Sequence, residues 1–429
     1  MPEGRNVLEI LKDRGFVAQV TDEAGLTALL ENPVTCYIGF DPTADSLHVG
    51  SLVPIMALMH MQRHGHRPIV LVGGGTGLVG DPSGKTEMRQ LLTLEQIGFN
   101  CLALQEQLAC FLDFSDGAAL LVNNADWLVD LRYIDFLRDI GQHFSVNRML
   151  TAESYKIRLE MGLSFIEFNY MLLQAYDFLY LAQKHDCFLQ MGGNDQWGNI
   201  VAGTDLIRRK MGKTAFGLTF PLMTTASGAK MGKTAAGAVW LSAARTSPYE
   251  YYQYWVNSDD QDIVRFLALY TFLPMTEIEL VKGLEGHELN ACKSVLAFEI
   301  TAQTHGVEQA LAAFHGANRL FGPRQIPPDL LPSSRIPRVG ESNNAATVPT
   351  LVLNADRIET GVSVIDLLVE TGLCASKSAA RRLVVQGGAY LDQGRIDSIE
   401  QRVGPDQFAG GGVLLKAGKK KICRVTLGR

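Results

Sequence analysis

The stretch VTCYIGFDPTADSLHVGSLVPIMALMHMQRHGHRPIVLVGG, residues 34–74, decides the fold. Its two ends, 34–40 and 68–74, are rich in apolar and β-branched residues and predict buried strands. Between them, apolar residues recur at helical spacing: Leu52, Ile55, Met56 and Met59. Strand, helix and strand in this order form a βαβ unit, which predicts a parallel sheet that binds ligands at the carboxyl ends of its strands.

The rest of the chain predicts further α/β structure, then helices, a linker and a small module. Residues 163–183, LSFIEFNYMLLQAYDFLYLAQ, carry apolar side chains at helical spacing and predict one long buried helix. Another strand-to-turn junction is predicted at 187–199. We predict a Rossmann-like parallel-sheet domain at 1–235, an α-helical domain at 236–322, a proline-rich linker at 323–352 and an α+β module at 353–429.

The composition is that of an ordinary soluble protein, with 47% hydrophobic and 20% charged residues among 429. Seven cysteines without a C-x-x-C pair signal neither a disulfide framework nor a zinc site, so we expect free thiols. Residues 1–16 mix acidic and basic side chains, and no apolar run approaches the roughly 18 residues that span a bilayer. We therefore expect a cytoplasmic protein.

Charge is distributed unevenly along the chain. The net charge is −6, but residues 356–429 hold twelve Lys and Arg against eight Asp and Glu, which is +4 and leaves −10 on residues 1–355. A basic C-terminal module on an acidic body indicates a polyanionic partner.

A glycine-rich turn, GGGTGLVGDPSGKTEM at 73–88, resembles two nucleotide-binding loops at once. The dinucleotide pattern G-x-G-x-x-G is met at 75–80, but Asp81 and Pro82 break the helix that such a site requires. A P-loop would need glycine where Val79 stands. What remains is a tight turn after a buried strand, with Asp81 placed to meet a cation.

His60 and His64 form an H-x-x-x-H pair of the kind found in some metal sites. The pair lacks the HExxH pattern and a third ligand nearby, so we expect no metal there. The sequence favours a solvent-exposed helix end instead.

Two short segments together indicate phosphate chemistry. HVGS at 48–51 stands where a strand turns into a helix, and KMGKT at 230–234 places two lysines in a small flexible loop. Either segment alone would more often be structural than catalytic, but the pair on one α/β sheet is far more specific. The two resemble the HIGH and KMSKS signatures of class I aminoacyl-tRNA synthetases.

The resemblance extends to one family of that class. YIGFDPTADSLHVG, GGTGLVGDPSGKTEMR, FNYMLLQAYDF and LQMGGNDQWGN, in this order, are similar to segments of bacterial tyrosyl-tRNA synthetases. The resemblance implies an enzyme that makes tyrosyl-adenylate and pyrophosphate from L-tyrosine and ATP with Mg²⁺, then transfers tyrosine to the 3′ end of tRNA(Tyr). It also implies a homodimer and no tightly bound cofactor.

The resemblance also assigns roles to particular residues. The catalytic residues are expected to be Thr43, His48, Lys230, Lys233 and Thr234. Tyrosine is expected to contact Tyr37, Thr76, Asp81, Tyr170, Gln174, Asp177, Gln190 and Gln196. ATP is expected to contact Gly39, Asp41, His48, Gly50, Ser51, Gly192, Asp195, Lys230 and Lys233. Cationic groups and a helix N-terminus suit the negative charge that develops on departing pyrophosphate.

The chain departs from the family pattern at Ser51, Asn194 and Ile38, which bears on the ribose and adenine contacts only. The tryptophanyl enzymes share the fold and both signatures and are the nearest alternative. The Tyr37 and Asp177 pair and the basic tail disfavour them. A second alternative, an RNA-binding protein with a degenerate nucleotide fold, is disfavoured because both lysines of KMGKT are present.

The C-terminal module resembles the S4 RNA-binding domain. Ser376 can cap a helix that ends at 387–388, and the residues from 410 to 427 predict a hairpin. Clustered cationic groups there would bind a phosphate backbone with little base specificity. The expected RNA-binding residues are Lys377, Arg381, Arg382, Lys419, Lys420 and Lys421.

Overall fold

The computed structural model describes residues 5–83, 92–226, 228, 231–234, 237–338, 350–353, 357, 361–392, 394–408, 412–418 and 421–427. The chain divides into two compact units, Met1–Val307 with Leu331–Arg335, and Glu308–Leu330 with Ile336–Arg429. Among the described residues, no helix has both the length and the apolar composition needed to cross a bilayer. All seven cysteines are free, as the sequence predicted.

The first unit is built on a six-stranded sheet in the order β1-β6-β5-β2-β3-β4. Its strands are β1 (Gln19–Val20), β2 (Thr35–Phe40), β3 (Arg67–Val72), β4 (Leu120–Asn123), β5 (Cys187–Gly193) and β6 (Phe216–Phe220). Every neighbouring pair is parallel except the edge pair β1–β6. The predicted parallel sheet is confirmed, and the antiparallel edge strand β1 is an addition that the sequence pattern did not reveal.

Helices connect these strands and cover the sheet. They are α1 (Val7–Asp13), α2 (Glu23–Leu29), α3 (Leu52–Arg63), α4 (Leu94–Leu108), α5 (Ala125–Leu128), α6 (Tyr133–Asp139), α7 (Val146–Met149), α8 (Glu153–Met161), α9 (Phe165–Phe168), α10 (Tyr170–His185) and α11 (Trp197–Met211). The predicted βαβ unit is β2-α3-β3, and both strands bury nearly every side chain. Helix α10 packs against α11 and β5.

The prediction of one long helix at 163–183 is wrong, because the helix is divided at Asn169 into α9 and α10. The buried hydroxyl of Tyr155 on α8 donates to Phe168 O at 2.8 Å and accepts from Met171 N at 3.3 Å. A side chain that bonds both backbone groups competes with the helical ladder and divides it.

A short hairpin and five more helices follow the sheet. They are β7 (Lys233–Thr234), β8 (Gly237–Ala238), α12 (Pro248–Val256), α13 (Ile263–Tyr270), α14 (Met275–Glu279), α15 (Gly286–His305) and α16 (Val307–Phe321). Helix α12 begins with a capping box in which Ser247 accepts from Glu250 N, and Pro248 occupies its first turn. The predicted helical character of 248–321 is confirmed.

The expected solvent-exposed position of His60 is wrong. His60 is buried against Phe16 and Phe272, with ring centroids 5.5 and 4.8 Å away. Burial lowers the pKa of His60 well below its usual value. The helix pattern alone did not reveal this, since Phe272 comes from a segment more than 200 residues away in sequence. Among the described residues, no group of three or more His, Cys, Asp or Glu could hold a metal ion.

The second unit contains a five-stranded sheet in the order β12-β11-β14-β15-β9. Its elements are β9 (Thr350–Leu353), β10 (Val362–Ser363), α17 (Val364–Glu370), α18 (Lys377–Val385), β11 (Ala389–Leu391), β12 (Gly394–Arg395), β13 (Arg402–Val403), β14 (Val413–Ala417) and β15 (Lys421–Leu427). Ser376 caps α18 through Ala379 N, and Gly387, at φ +72°, follows its end. The predicted helix cap and the β14–β15 hairpin are confirmed.

Candidate active site

A cavity of about 470 Å³ lies where the strand order reverses. In the sheet, β3 and β4 lie on one side of β2, while β5 and β6 lie on the other. The point where the strand order reverses in this way is the usual ligand site of an open α/β sheet. The cavity is lined by all predicted catalytic, tyrosine-binding and ATP-binding residues outside the KMGKT segment: Tyr37, Gly39, Asp41, Thr43, His48, Gly50, Ser51, Thr76, Asp81, Tyr170, Gln174, Asp177, Gln190, Gly192, Asp195 and Gln196.

The backbone of Val239 connects the KMGKT segment to the HVGS segment through two hydrogen bonds. Val239 N donates to Gly232 O at 2.9 Å, while Val49 N donates to Val239 O at 3.0 Å. Gly232 has φ +81°, and a Cβ there would lie 2.7 Å from Val49 Cγ2, so glycine is required. Lys230 lies outside the described residues, and only the backbone of residues 233–234 is described.

The glycine-rich turn owes its small residues to neighbouring side chains. A Cβ on Gly73 would lie 2.3 Å from Asp41 Oδ1, and one on Gly74 would lie 2.2 Å from Asn123 Oδ1. The next amide, Gly75 N, donates to Asn124 Oδ1 at 2.7 Å. Gly73 and Gly74 therefore make room for the side chains of Asp41 and Asn123.

Two carboxylates mark one region of the cavity. Asp41 Oδ2 accepts from Tyr170 Oη, and its Oδ1 accepts from Thr76 Oγ1, both at 2.9 Å. Asp81 Oδ2 accepts from Gln196 Nε2 at 2.7 Å. Asp41 was expected among the ATP contacts, yet it bonds two residues expected to contact tyrosine. Two carboxylates that line the same cavity favour a cationic group there.

The buried end of the cavity is built around Asp177 on α10. Its Oδ2 accepts from Asn124 Nδ2 at 2.9 Å, and its Oδ1 accepts from Trp127 Nε1 at 2.7 Å. Burial raises the pKa of Asp177 to about 7, although both of these hydrogen bonds lower it. Tyr37 Oη is also buried, with no hydrogen-bond partner among the described residues. Burial raises the pKa of Tyr37 most, and the nearby Asp177 raises it further.

Sequence reasoning missed Asn124 and Trp127. Asn124 is fully buried and also donates to Thr76 Oγ1 at 3.0 Å, so it connects the glycine turn with Asp177. Asn199 was missed as well, although its Nδ2 donates to Gln174 Oε1 at 2.9 Å. The available signal was NNADW at 123–127, a polar run directly after a strand in an α/β sheet.

The HVGS segment fixes one tautomer of His48. Gly50 N donates to His48 Nδ1 at 3.0 Å, so in the neutral ring the proton resides on Nε2, which can donate a hydrogen bond. The ring lies edge-on to Trp240, with centroids 6.3 Å apart. The Arg245 guanidinium stacks over the Trp240 ring at 3.6 Å and pairs with Asp45 at 2.7 Å. These contacts attach the segment that carries Trp240 and Arg245 to the segment that carries Asp45 and His48.

The comparisons identify the family. Residues 29–322 match the family model described as class I tRNA synthetases (W and Y). A tyrosine–tRNA ligase of Desulfatibacillum aliphaticivorans is 60% identical over 425 residues, which cover 98% of this chain and 99% of that protein. A tyrosine–tRNA ligase of Desulfosudis oleivorans is 61% identical over 428 residues, with the same coverage of each chain. The chain belongs to the tyrosine–tRNA ligase family.

A solved structure supports the same assignment of the fold. A C-terminally truncated mitochondrial tyrosyl-tRNA synthetase of Aspergillus nidulans superposes with a TM-score of 0.67 and 29% identity, covering 75% of this chain and 95% of that chain. The expected α/β fold of the class I family is therefore confirmed.

One departure from the family pattern has a structural role. Asn194 stands in the GGNDQ segment after β5, and its Oδ1 accepts from Gln19 Nε2 at 2.6 Å and from Thr219 Oγ1 at 3.0 Å. The Asn194 side chain therefore attaches the segment that carries Asp195 to β6 and to the edge strand β1.

Residues 342–425 match a tyrosine–tRNA ligase C-terminal domain. Within the second unit, Lys377, Arg381 and Arg382 are exposed on α18, and Lys377 pairs with Asp366 at 2.7 Å. Lys419 and Lys420 lie outside the described residues, and Lys421 begins β15, with only its backbone described.

Proposed function

We propose that this protein is a tyrosine–tRNA ligase, which activates L-tyrosine with ATP and transfers it to the 3′ end of tRNA(Tyr). The observation that supports this most directly is the buried end of the cavity, which is lined by Asp177 and by Tyr37, whose buried hydroxyl has no hydrogen-bond partner among the described residues. A phenol hydroxyl there donates to Asp177 and accepts from Tyr37. Phenylalanine would give up the hydrogen bond to Asp177 and leave the buried Tyr37 hydroxyl unpaired, at a cost of about 1–3 kcal/mol for the unpaired group.

The α-ammonium end of the substrate tyrosine is assigned to the part of the cavity that Asp81 lines. Asp81, with Tyr170 and Gln174, binds the α-ammonium group, and Thr76 in the glycine turn lines the space beside it. Asp41 orients Tyr170 through its carboxylate, so it acts on tyrosine as well as on ATP. Gln190 and Gln196 complete the tyrosine contacts.

Adenylate formation needs stabilisation of negative charge. A tyrosine carboxylate oxygen attacks the α-phosphorus, a new P–O bond forms, and the bond to the β-phosphate bridging oxygen breaks to release pyrophosphate. Thr43 and the Nε2–H of His48 donate to the phosphates, while Lys230 and Lys233, with Thr234, stabilise the departing pyrophosphate. No general base is needed because the attacking carboxylate is ionised at neutral pH.

The nucleotide is assigned to the remaining lining residues. Gly39, Gly50 and Ser51 let ATP approach the backbone, and Gly192 with Asp195 binds the ribose. Mg²⁺ enters with ATP as part of the substrate, coordinated by the phosphates.

The tRNA is assigned to the C-terminal parts of the chain. We propose an α-helical anticodon-side domain at 236–322, a linker at 323–352 and an S4-like RNA-binding domain at 353–429 that follow a catalytic domain at 1–235. The exposed cationic groups on α18 support this, together with the lysines at 419–421, because clustered positive charge binds a phosphate backbone. The enzyme is proposed to act in the cytoplasm.

A homodimer is the proposed assembly. Helices α6 and α9 and the end of α5 expose apolar side chains: Val129, Tyr133, Ile134, Phe165 and Ile166. Large exposed apolar side chains mark an interface where they form one patch, and we propose that these do. Sedimentation velocity should give a dimer for the native chain, and Ile134→Asp should shift it towards monomer.

Tyrosine-dependent exchange of pyrophosphate into ATP tests the activity. The purified protein should catalyse this exchange with L-tyrosine, and tryptophan and phenylalanine at the same concentration should give almost none. Exchange that depends on tryptophan would instead indicate a tryptophanyl enzyme, the nearest alternative. Absence of exchange with any amino acid would favour the second alternative, an RNA-binding protein with a degenerate nucleotide fold.

A further inference from the structure

The backbone between the two signature lysines is fastened at its centre. Met231 N donates to Met223 O at 3.1 Å, which closes residues 223–231 into a loop. The hydroxyl of Tyr254 on α12 accepts from Gly232 N at 3.2 Å and donates to Met231 Sδ at 3.4 Å. We name Met223, Met231, Gly232 and Tyr254 the loop pin. The pin fixes the backbone that directly precedes Lys233.

The opposite face of Gly232 is also confined. Because a Cβ at this position would come within 2.7 Å of Val49 Cγ2, the glycine is seated tightly on the HVGS segment. Met231 is buried, with 5% of its surface exposed. The segment therefore lies between Val49 on one side and the Tyr254 hydroxyl on the other, which leaves it little freedom to shift.

The next helix along the chain, α13, fastens the start of the loop. The buried Asp262 carboxylate, just before α13, accepts from Ala226 N at 2.8 Å. Arg265 on α13 donates to Thr224 O at 2.7 Å and pairs with Asp262. The start of the loop is thus attached to α13 and its N-cap residue, and its end is attached to α12 through Tyr254, the attachment that is nearest to the lysines in sequence.

We propose that Tyr254 is a positioning residue for adenylate formation, whose hydroxyl holds Met231 and Gly232 so that Lys233 starts from a fixed point beside the departing pyrophosphate. This inference rests on the proposed function. Tyr254 is not among the described residues that line the cavity, so its effect passes through the loop and not through contact with tyrosine or ATP.

Tyr254→Phe tests the inference because it removes the hydroxyl and keeps the ring. We expect the turnover number of tyrosine-dependent pyrophosphate exchange to fall about fivefold, the equivalent of one hydrogen bond of about 1 kcal/mol. The KM for tyrosine should stay at the native value, and the melting temperature should fall by no more than the few degrees that one lost hydrogen bond gives. Tyr249→Phe is the matched control, since this hydroxyl on the same helix makes no hydrogen bond to the described part of the loop, and it should exchange at the native rate.

A double-mutant cycle with Lys233→Ala shows whether Tyr254 acts through the lysine. In the Lys233→Ala background, Tyr254→Phe should change the turnover number by less than twofold, because the group being positioned is gone. A full fivefold effect in that background would overturn the inference, as would a native rate in the single variant or a loss confined to tyrosine KM. Absence of tyrosine-dependent exchange in the native protein would instead refute the proposed function.

Discussion

Replacement of Asp177 by asparagine should make the protein's stability less sensitive to pH. The native carboxyl has a pKa of about 7, against 3.8 for an ordinary aspartate, because it is buried. Between these values the folded state holds a proton that the unfolded state has lost, so this group favours folding at low pH and ceases to do so as the pH rises through 7. The difference of about three in pKa corresponds to about 4 kcal/mol in the free energy of unfolding.

Asp177→Asn removes that titration. The unfolding free energy of the variant minus that of the native protein should therefore rise by about 3 kcal/mol between pH 5.0 and 8.5, the part of the 4 kcal/mol that lies in this window. A constant offset is expected as well, because the new amide places a donor near the Asn124 and Trp127 donors. The offset cancels when only the change with pH is compared.

Urea unfolding followed by tryptophan fluorescence measures this quantity. The four tryptophans, at 127, 197, 240 and 255, all lie in the first unit and report on it alone. Asp126→Asn is the matched control, because it makes the same change from carboxyl to amide at an exposed position one residue from Trp127. A flat Asp177→Asn difference, or one that falls as the pH rises, would show that Asp177 is ionised throughout and that the burial argument is wrong.

Other predictions concern catalysis, tRNA and acid stability. Lys233→Ala should lower the single-turnover rate of adenylate formation about a hundredfold or more with tyrosine affinity unchanged, as stopped-flow fluorescence can measure. Deletion of 350–429 should leave pyrophosphate exchange within twofold and abolish most tRNA charging, as measured with radiolabelled tyrosine. Gly232→Ala should slow exchange at least tenfold, because its φ of +81° and the nearby Val49 Cγ2 oppose a Cβ. Burial lowers the pKa of His66 to about 4. Acidification from pH 6.5 to 4 should therefore lower the unfolding free energy of the native protein by about 2–3 kcal/mol more than it lowers that of the His66→Gln variant, as measured by urea unfolding.

The sequence predicted those parts of the fold and cavity that depend on local pattern. The βαβ unit at 34–74 followed from the spacing of apolar residues, and the fold class was confirmed. Tyr170, Gln174 and Asp177 stand at i, i+4 and i+7 in the sequence, a spacing that places them on one face of a helix, and all three line the cavity. Their individual roles stay predictions until substrates are bound.

The remaining features depend on contacts between residues far apart in sequence. Asn124 and Trp127 bond Asp177 across about 50 residues, so the pattern of either segment by itself gave no sign of the pair. The break at Asn169 depends on the hydroxyl of Tyr155, which belongs to another helix. No periodicity within a single element encodes such an arrangement, because it arises only when the elements pack.

The pairing of Leu47 and Val49 with residues 239–241 determines when activity can first appear during synthesis. Leu241 N reaches back to Leu47 O at 2.8 Å, across nearly 200 residues, so a ribosome must have released the chain beyond Leu241 before both halves of the proposed phosphate site can meet. Nascent chains that end earlier can complete much of the sheet and still have no catalytic centre. Premature termination before this point should therefore yield inert fragments, which cannot consume ATP without charging tRNA.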